Sequence, residues 1–152
     1  WDGIGGLIAT DPTVKYLSGK VTIYSTSPEM SRKAMVYYLD MSFGDREGLI
    51  TSKNPETCTP EQAAFFKEMF TGADYKENYA ILNNYVKSLG DSIPPFIHLY
   101  IGLSPTMKTF GTTFDPDFGD CYDTAMIITT DDIYPDKYKR YVESYEKCKV
   151  RK

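Results

Sequence analysis

The sequence predicts one α/β domain of the α+β kind, and three observations lead to that prediction. Residues 108–114 and 122–130 are rich in β-branched and aromatic residues, as strands are. Strong helix-start signals precede segments whose apolar residues recur at helical spacing. The chain has 152 residues, of which 41% are hydrophobic and 14% aromatic, so one genuine core can form.

The first part of the chain predicts a strand followed by a long helix. Residues 14–25, VKYLSGKVTIYS, predict the strand, with Gly19 as a bulge or kink. Residues 27–29 then offer a capping serine, a proline and an acid in the first turn, so a helix should run from there to about Phe43. Its buried stripe is predicted to consist of Met30, Ala34, Tyr38 and Met41.

A helical hairpin over about residues 59–90 is predicted next. Residues 59–62, TPEQ, form a capping box with proline at the first helical position. Asp74 and Glu77 have the spacing of a second box of the same type, and Gly90 supplies the C-terminal cap of that helix.

The last third predicts a short helix, two paired strands and a final helix. Residues 94–95 are a di-proline helix start. The segment between the two strands, DPDFGD, combines proline, glycine and three Asp, each of which favours a turn, so the strands should pair antiparallel. Residues 138–147 predict an amphipathic helix.

Charge and cysteine content exclude several classes of function. With 17 Lys and Arg against 21 Asp and Glu the net charge is −4, and no basic cluster suits nucleic acid. The basic end, residues 147–152, is interpreted as solvated, with weak contact to anionic lipid or an acidic carrier protein as the alternative. The 3 Cys have neither metal-ligand spacing nor a disulfide pattern, so no metal site is expected.

These features favour a cytoplasmic protein. Widely spaced, odd-numbered cysteines fit a reducing compartment. No apolar run approaches the roughly 20 residues that span a bilayer, and no signal peptide is visible. Peripheral contact with a membrane, made by the basic end, is the alternative that these features leave.

The order of the motifs resembles one bacterial family. PPFIHLYIGL, then FG, FDPDFGD and YDTAMIIT, is similar to the hemolysin-like N-acyltransferases of the GNAT superfamily, which make ornithine and glycine lipids. His98 departs from the pattern, since a basic residue is expected there. The resemblance covers the last third well and the first 50 residues weakly. The matching positions are Pro94, Pro95, Gly111, Asp115, Asp117, Phe118, Gly119 and Asp123.

The resemblance implies the C-terminal half of a GNAT-like mixed sheet, with the helical hairpin as an insertion. In that family a Trp-x-Gly segment like WDGIGG ends the helix that follows the thioester-binding strand. The entry strands would then lie upstream of Trp1, and the 152 residues alone would be inactive.

The implied reaction moves a fatty acyl group from acyl carrier protein or CoA to an amino-acid amine, as in a lyso-ornithine or lyso-glycine lipid. The thioester is the co-substrate, and no other cofactor is expected. The chemistry needs a base, donors for an oxyanion and a proton for the leaving thiolate.

Tyrosines and carboxylates are the candidate site residues. Tyr37 and Tyr38, on the helix that follows the fifth GNAT strand, are candidates to protonate the thiolate, with packing as the alternative. Asp115 and His98 are the other catalytic candidates, with turn architecture and an ordinary histidine as the respective alternatives.

Two further sets of residues are candidates for binding. Hydroxyl groups near the end of the first strand could contact the pantetheine arm, with helix capping as the alternative. They belong to Tyr24, Ser25 and Ser27. Hairpin carboxylates could bind the acceptor's ammonium group, with turn architecture as the alternative. They belong to Asp117, Asp120 and Asp123.

A non-enzymatic function is the rival hypothesis. The 13 Tyr could instead form the surface of an α+β module that binds a partner or an apolar ligand. Such a module should have a closed core without an unpaired sheet edge. A partial acyltransferase should instead expose a strand edge and apolar surface, and should tend to self-associate.

Overall fold

The computed structural model describes residues 2–145, which form helices around a three-stranded antiparallel sheet. The predicted α+β class is thereby confirmed. The elements are α1 (Asp2–Thr10), β1 (Tyr16–Ile23), α2 (Glu29–Phe43), α3 (Pro60–Met69), α4 (Tyr75–Ser88), α5 (Pro95–Ile101), β2 (Lys108–Asp115), β3 (Cys121–Thr129) and α6 (Pro135–Tyr138). Short 3-10 turns lie at Pro116–Phe118 and Thr130–Asp132, and a π-helix at Lys139–Glu143 continues from α6.

The sheet has the strand order β1-β3-β2. β2 and β3 pair antiparallel through the turn between them, as the sequence predicts. β1 pairs antiparallel with β3, with Tyr16 opposite Thr129 and Ile23 opposite Tyr122. Within residues 2–145 no strand lies on the outer side of β1, so this strand forms one edge of the sheet.

The predicted bulge at Gly19 is wrong. β1 pairs with β3 without interruption, and Gly19 stands opposite Met126. A Cβ at Gly19 would lie 2.1 Å from the hydroxyl of Tyr100, so a larger residue there would require this side chain to shift. The irregularity of the sheet falls instead in β2, between Thr109 and Thr112. Gly111 lies at this point with a φ of 79°, a value that favours glycine.

Helix α2 lies at the centre of the core. Ala34 and Tyr38 of the predicted stripe are fully buried, whereas Met30 and Met41 are only half-buried. The stripe is wider than the sequence predicts because the helical hairpin covers one side of α2 and the sheet covers another. The other buried apolar residues of α2 are Met35, Val36, Leu39 and Phe43.

The helical hairpin begins as predicted. Thr59 Oγ1 accepts from the Gln62 N–H at 3.2 Å, and the Gln62 side chain accepts from the Thr59 N–H at 3.0 Å. Asp74 caps α4 by accepting from the backbone of its first turn. The reciprocal half of this second box differs, because Glu77 accepts from the Ala73 N–H rather than from that of Asp74.

The predicted serine cap of α2 is wrong. Pro28 occupies the N-cap position, and no side chain caps the helix. The Ser27 N–H instead donates to the Tyr24 carbonyl at 3.1 Å. The segment between β1 and α2 is therefore a tight turn closed by backbone hydrogen bonding.

The final helix begins earlier than predicted, with Pro135 in its first turn, and its residues Lys139–Glu143 are π-helical. The predicted positions 146 and 147 lie outside the described residues. α1 packs against this π-helix, where Val142 is buried. In residues 2–145 no helix combines the length and the apolar character needed to cross a bilayer.

Candidate functional site

A cavity of about 380 Å³ lies between α2, the loop that precedes α3, and β2. The irregularity in β2 forms part of its floor, where a Cβ on Gly111 would meet no atom within 4 Å. The cavity is thus open above this backbone. Its lining includes Tyr37, Asp40, Glu56, Cys58, Thr112 and Thr124.

The floor of the cavity is already hydrogen-bonded. The hydroxyls of Thr112 and Thr124 lie 2.7 Å apart across the two strands, and Thr109 donates to the Leu39 carbonyl at 3.3 Å. Because these buried polar groups are paired, the floor is held in one arrangement.

Cys58 is a poor nucleophile in this setting. Its thiol lies 3.8 Å from the Lys33 carbonyl, to which it donates. Burial raises the pKa of the Cys58 thiol, so the group stays protonated at neutral pH. Cys58 therefore contributes a small, weakly polar side chain to the cavity wall.

The structure distinguishes the two candidate tyrosines. Tyr38 is fully buried, its hydroxyl donates to the Tyr75 carbonyl at 2.9 Å, and burial raises its pKa. Tyr37 is half-buried and lines the cavity, with its ring stacked on Phe70 at 5.9 Å and 5°. Of this pair, only Tyr37 reaches the space where a ligand could bind.

A charged cluster beside the cavity was not predicted from the sequence, and Glu56 is its member that lines the cavity. Glu56 Oε1 lies 3.2 Å from Arg32 Nε and 2.8 Å from Lys33 Nζ. The Arg32 guanidinium lies 4.2 Å from the centre of the Tyr122 ring. Glu56 lies in a loop 24 residues after Arg32, so no local spacing connects them. The one available signal was the helical spacing of Lys33 and Tyr37, which puts both on one face of α2.

The three hydroxyl candidates lie at the turn that follows β1. Tyr24 is 65% exposed, Ser25 is exposed and Ser27 is half-buried. Since Ile23 stands opposite Tyr122, this turn and the β2–β3 turn lie at the same end of the sheet. The Ser27 carbonyl also accepts from Arg32 Nη1 at 3.5 Å, which links the turn to the charged cluster.

The hairpin carboxylates differ in what they contact. Asp115 accepts from the Asp117 N–H at 3.1 Å, as in an Asx turn. Asp117 and Asp120 are exposed, and Asp120 has a φ of 52°. Their predicted role in binding ammonium stays a prediction.

Asp123 has a different setting, because both of its oxygens are engaged. Oδ2 lies 2.5 Å from Lys20 Nζ, and Oδ1 accepts from Thr22 Oγ1 at 2.5 Å. The hydrogen bond to Asp123 raises the pKa of Lys20. An acceptor ammonium would have to displace Lys20 to bind here, so a cross-strand ion pair is the role that the contacts support.

His98 and Tyr37 do not share a cavity. His98 lies on α5 with its ring 5.5 Å from that of Tyr79 on α4. It lines a second cavity, of about 240 Å³, together with Tyr75, Tyr79, Lys76 and Ile101. Neither His98 nor Asp115 is among the residues that line the first cavity. Among residues 2–145 no three His, Cys, Asp or Glu side chains group as a metal ion would require.

Two curated proteins are similar to nearly the whole chain. A protein of Phocaeicola vulgatus named glycine N(alpha)-acyltransferase is 39% identical over 147 residues, which are 97% of this chain and 45% of the relative. A protein of Bacteroides thetaiotaomicron with the same name is 39% identical over 148 residues, 95% of this chain and 43% of the relative. The chain therefore spans less than half the length of these relatives. No family model and no solved structure matches it.

Proposed function

We propose that this chain is part of an amino-acid N-acyltransferase that acts on the α-amine of glycine. The observation that carries the proposal is the 39% identity, over almost the whole chain, with two proteins named glycine N(alpha)-acyltransferase. By the resemblance to the hemolysin-like GNAT family, the donor is a fatty acyl thioester of acyl carrier protein or CoA. The product is then an N-acyl amino acid of the lyso-glycine or lyso-ornithine lipid type.

The edge of the sheet supports a GNAT-like arrangement. A GNAT domain holds the thioester in a splay between two parallel strands, and β1 has a free outer edge within residues 2–145. More than half of each relative lies outside the matched region, which is enough polypeptide to supply the opposite strand. The rival hypothesis of a closed binding module predicts no such edge.

The proposed chemistry forms a C–N bond and breaks a C–S bond. The neutral acceptor amine attacks the thioester carbon, the tetrahedral intermediate collapses, and the thiolate leaves. Tyr37 donates the proton that the thiolate takes up. Its hydroxyl has no hydrogen-bond partner among the described residues, so it is available to a ligand in the cavity. Asp115 and His98 stay the predicted candidates for the base that accepts the amine proton.

Cellular context follows from the same proposal. The protein would act in the cytoplasm on a carrier-bound acyl chain, with peripheral contact to the membrane where the product accumulates. The free edge of β1 and the exposed apolar side chains near it would favour self-association when no strand covers them. Tyr16, on this edge, is 61% exposed.

A chimera tests the function without depending on the rest of this protein. The matched segment of the Phocaeicola vulgatus relative is replaced by this chain, and thiol release from an acyl thioester is followed with glycine as acceptor. Glycine-dependent turnover supports the proposal. A folded chimera that releases no thiol contradicts it.

Two matched variants then test Tyr37. Tyr37→Phe should lower kcat by about 10²–10⁴-fold, the usual contribution of a positioned acid. Tyr85→Phe is the control, because both rings contact Phe66, at 5.5 Å for Tyr37 and 6.2 Å for Tyr85, while Tyr85 lies outside the cavity lining. Equal effects of the two variants would assign Tyr37 a packing role.

A further inference from the structure

The charged cluster beside the cavity, of which only Glu56 is among the lining residues, carries more positive than negative charge. Two cations, Arg32 and Lys33, contact a single carboxylate, so one positive charge is left over. The side chains of Arg32, Lys33 and Glu56 are only 12%, 11% and 14% exposed. At such low exposure water screens a charge weakly, so the cluster is a favourable position for an anionic group.

Glu56 has a second carboxylate oxygen for a further contact. The contacts that Arg32 and Lys33 make are with Oε1, so another partner would meet Glu56 at Oε2. Glu56 lines the cavity, so this carboxylate can meet a cation that enters it. One cluster therefore holds two cations and a carboxylate side by side, next to the cavity.

The three side chains are held in place by their surroundings. Arg32 is stacked on the Tyr122 ring, and the Tyr122 ring lies against that of Phe114 at 5.1 Å. Lys33 donates to the Thr57 carbonyl, and the Glu56 N–H donates to the Thr112 carbonyl at 2.8 Å. Because these contacts order the cluster before a ligand arrives, little conformational entropy is lost on binding.

We propose that the cluster formed by Arg32, Lys33 and Glu56 binds the acceptor amino acid as a zwitterion. Glu56 takes the ammonium group, while Arg32 and Lys33 take the carboxylate. In an α-amino acid these two groups are attached to one carbon, so their partners must also be neighbours, as they are here. The inference rests on the proposed function, which makes an amino acid the acceptor.

The position of the cluster suits the reaction. Tyr37 lies one helical turn after Lys33 on the same face of α2, and it lines the same cavity as Glu56. An ammonium group held at Glu56 therefore lies on the side of the cavity that also contains the proposed proton donor. The specificity that follows is for free α-amino acids, because an amine without a carboxylate leaves the surplus positive charge of the cluster uncompensated.

The test is a binding experiment on this chain, read by NMR, and it requires no turnover. The probes are glycine, glycinamide (which lacks the carboxylate charge) and acetate (which lacks the ammonium). Glycine should cause saturable shifts of the Arg32 Nε–Hε signal and of the Glu56 and Thr57 amides. It should bind at least about tenfold more tightly than either single-charge probe. Shifts that do not saturate, or that are equal for all three probes, overturn the proposal.

Variants locate the two halves of the site. Glu56→Gln should abolish the preference for glycine over acetate, and Arg32→Gln the preference for glycine over glycinamide. Lys108→Gln is the control, because Lys108 forms an ion pair with Glu47 outside the cavity lining and should leave both preferences unchanged. The same spectra report whether each variant is folded. If a folded Glu56→Gln or Arg32→Gln variant keeps its preference, the assignment of that residue is wrong.

The outcome is separable from that of the proposed function. If the chimera turns over and its Arg32→Gln variant has an unchanged KM for glycine, the acyltransferase function is supported and the proposed binding site is contradicted. If glycine binds saturably at the cluster but a folded chimera releases no thiol, the binding site is supported and the acyltransferase function is contradicted.

Discussion

A substitution at Gly5 tests how α1 packs against the π-helix at Lys139–Glu143. A Cβ at this position would lie 2.0 Å from the Tyr141 carbonyl oxygen and 2.5 Å from its carbon. Both atoms belong to the backbone of the π-helix, so no side-chain rotation can relieve the overlap. Gly5→Ala must therefore push α1 away from buried neighbours such as Ile8 and Val142.

The expected magnitude follows from two opposing effects. Replacing glycine by alanine inside a helix stabilises it by about 0.5–1 kcal/mol. Overpacking a close contact costs about 1–3 kcal/mol, and the rigid backbone here favours the upper part of that range. A net loss of about 1–2 kcal/mol should lower Tm by about 2–8 °C for a chain of this size.

Gly3→Ala is the matched control in the same helix. A Cβ at Gly3 would meet nothing within 4 Å, so only the gain in helix propensity applies. This variant should raise Tm by about 1–4 °C. Thermal unfolding followed by circular dichroism measures both. If Gly5→Ala is as stable as Gly3→Ala, α1 does not contact the π-helix as described.

Three further predictions concern stability, and a fourth concerns self-association. Burial, and then the hydrogen bond with Tyr134, raises the pKa of Tyr75 from 10.0 to about 12, so stability should fall as the pH rises from 10 to 12. Tyr75→Phe should flatten that fall in pH-dependent denaturation, and an unchanged slope would contradict the assignment. Thr59→Ala removes the cap of α3 and should cost about 0.5–2 kcal/mol in urea unfolding, whereas Thr59→Ser should cost little. Gly111→Ala, at a φ of 79°, should cost about 1–2 kcal/mol through backbone strain alone, because its Cβ has open space. Sedimentation of the purified chain should detect self-association through the free edge of β1, and a strictly monomeric chain would argue against an exposed edge.

Elements with a local signal were predictable from the sequence. The capping box at residues 59–62 closes within one turn, so its hydrogen bonds depend on neighbours in the chain alone. The turn residues at 115–120 likewise brought β2 and β3 together as an antiparallel pair. The serine cap of α2 failed because Ser27 also had a backbone alternative, the turn to Tyr24, and local composition does not choose between the two.

The candidate site was predictable only in part. Tyr37 and Tyr38 are neighbours on one helix, and their sequence positions favoured neither. The tertiary structure buries Tyr38 beneath α4 and turns Tyr37 towards the cavity. The resemblance to N-acyltransferases agrees with the names of two relatives, while the GNAT arrangement stays a prediction.

By itself the sequence determined the fold class, the strand pair at the end of the chain and the helix starts, because each depends on residues within a few positions of one another. Only the tertiary structure decided where the cavity lies and which charges gather beside it. Arg32, Glu56 and Thr112 come from a helix, a loop and a strand, and they meet only when the sheet packs against α2. Contacts between such distant residues arise from packing of the whole chain, which no local spacing records.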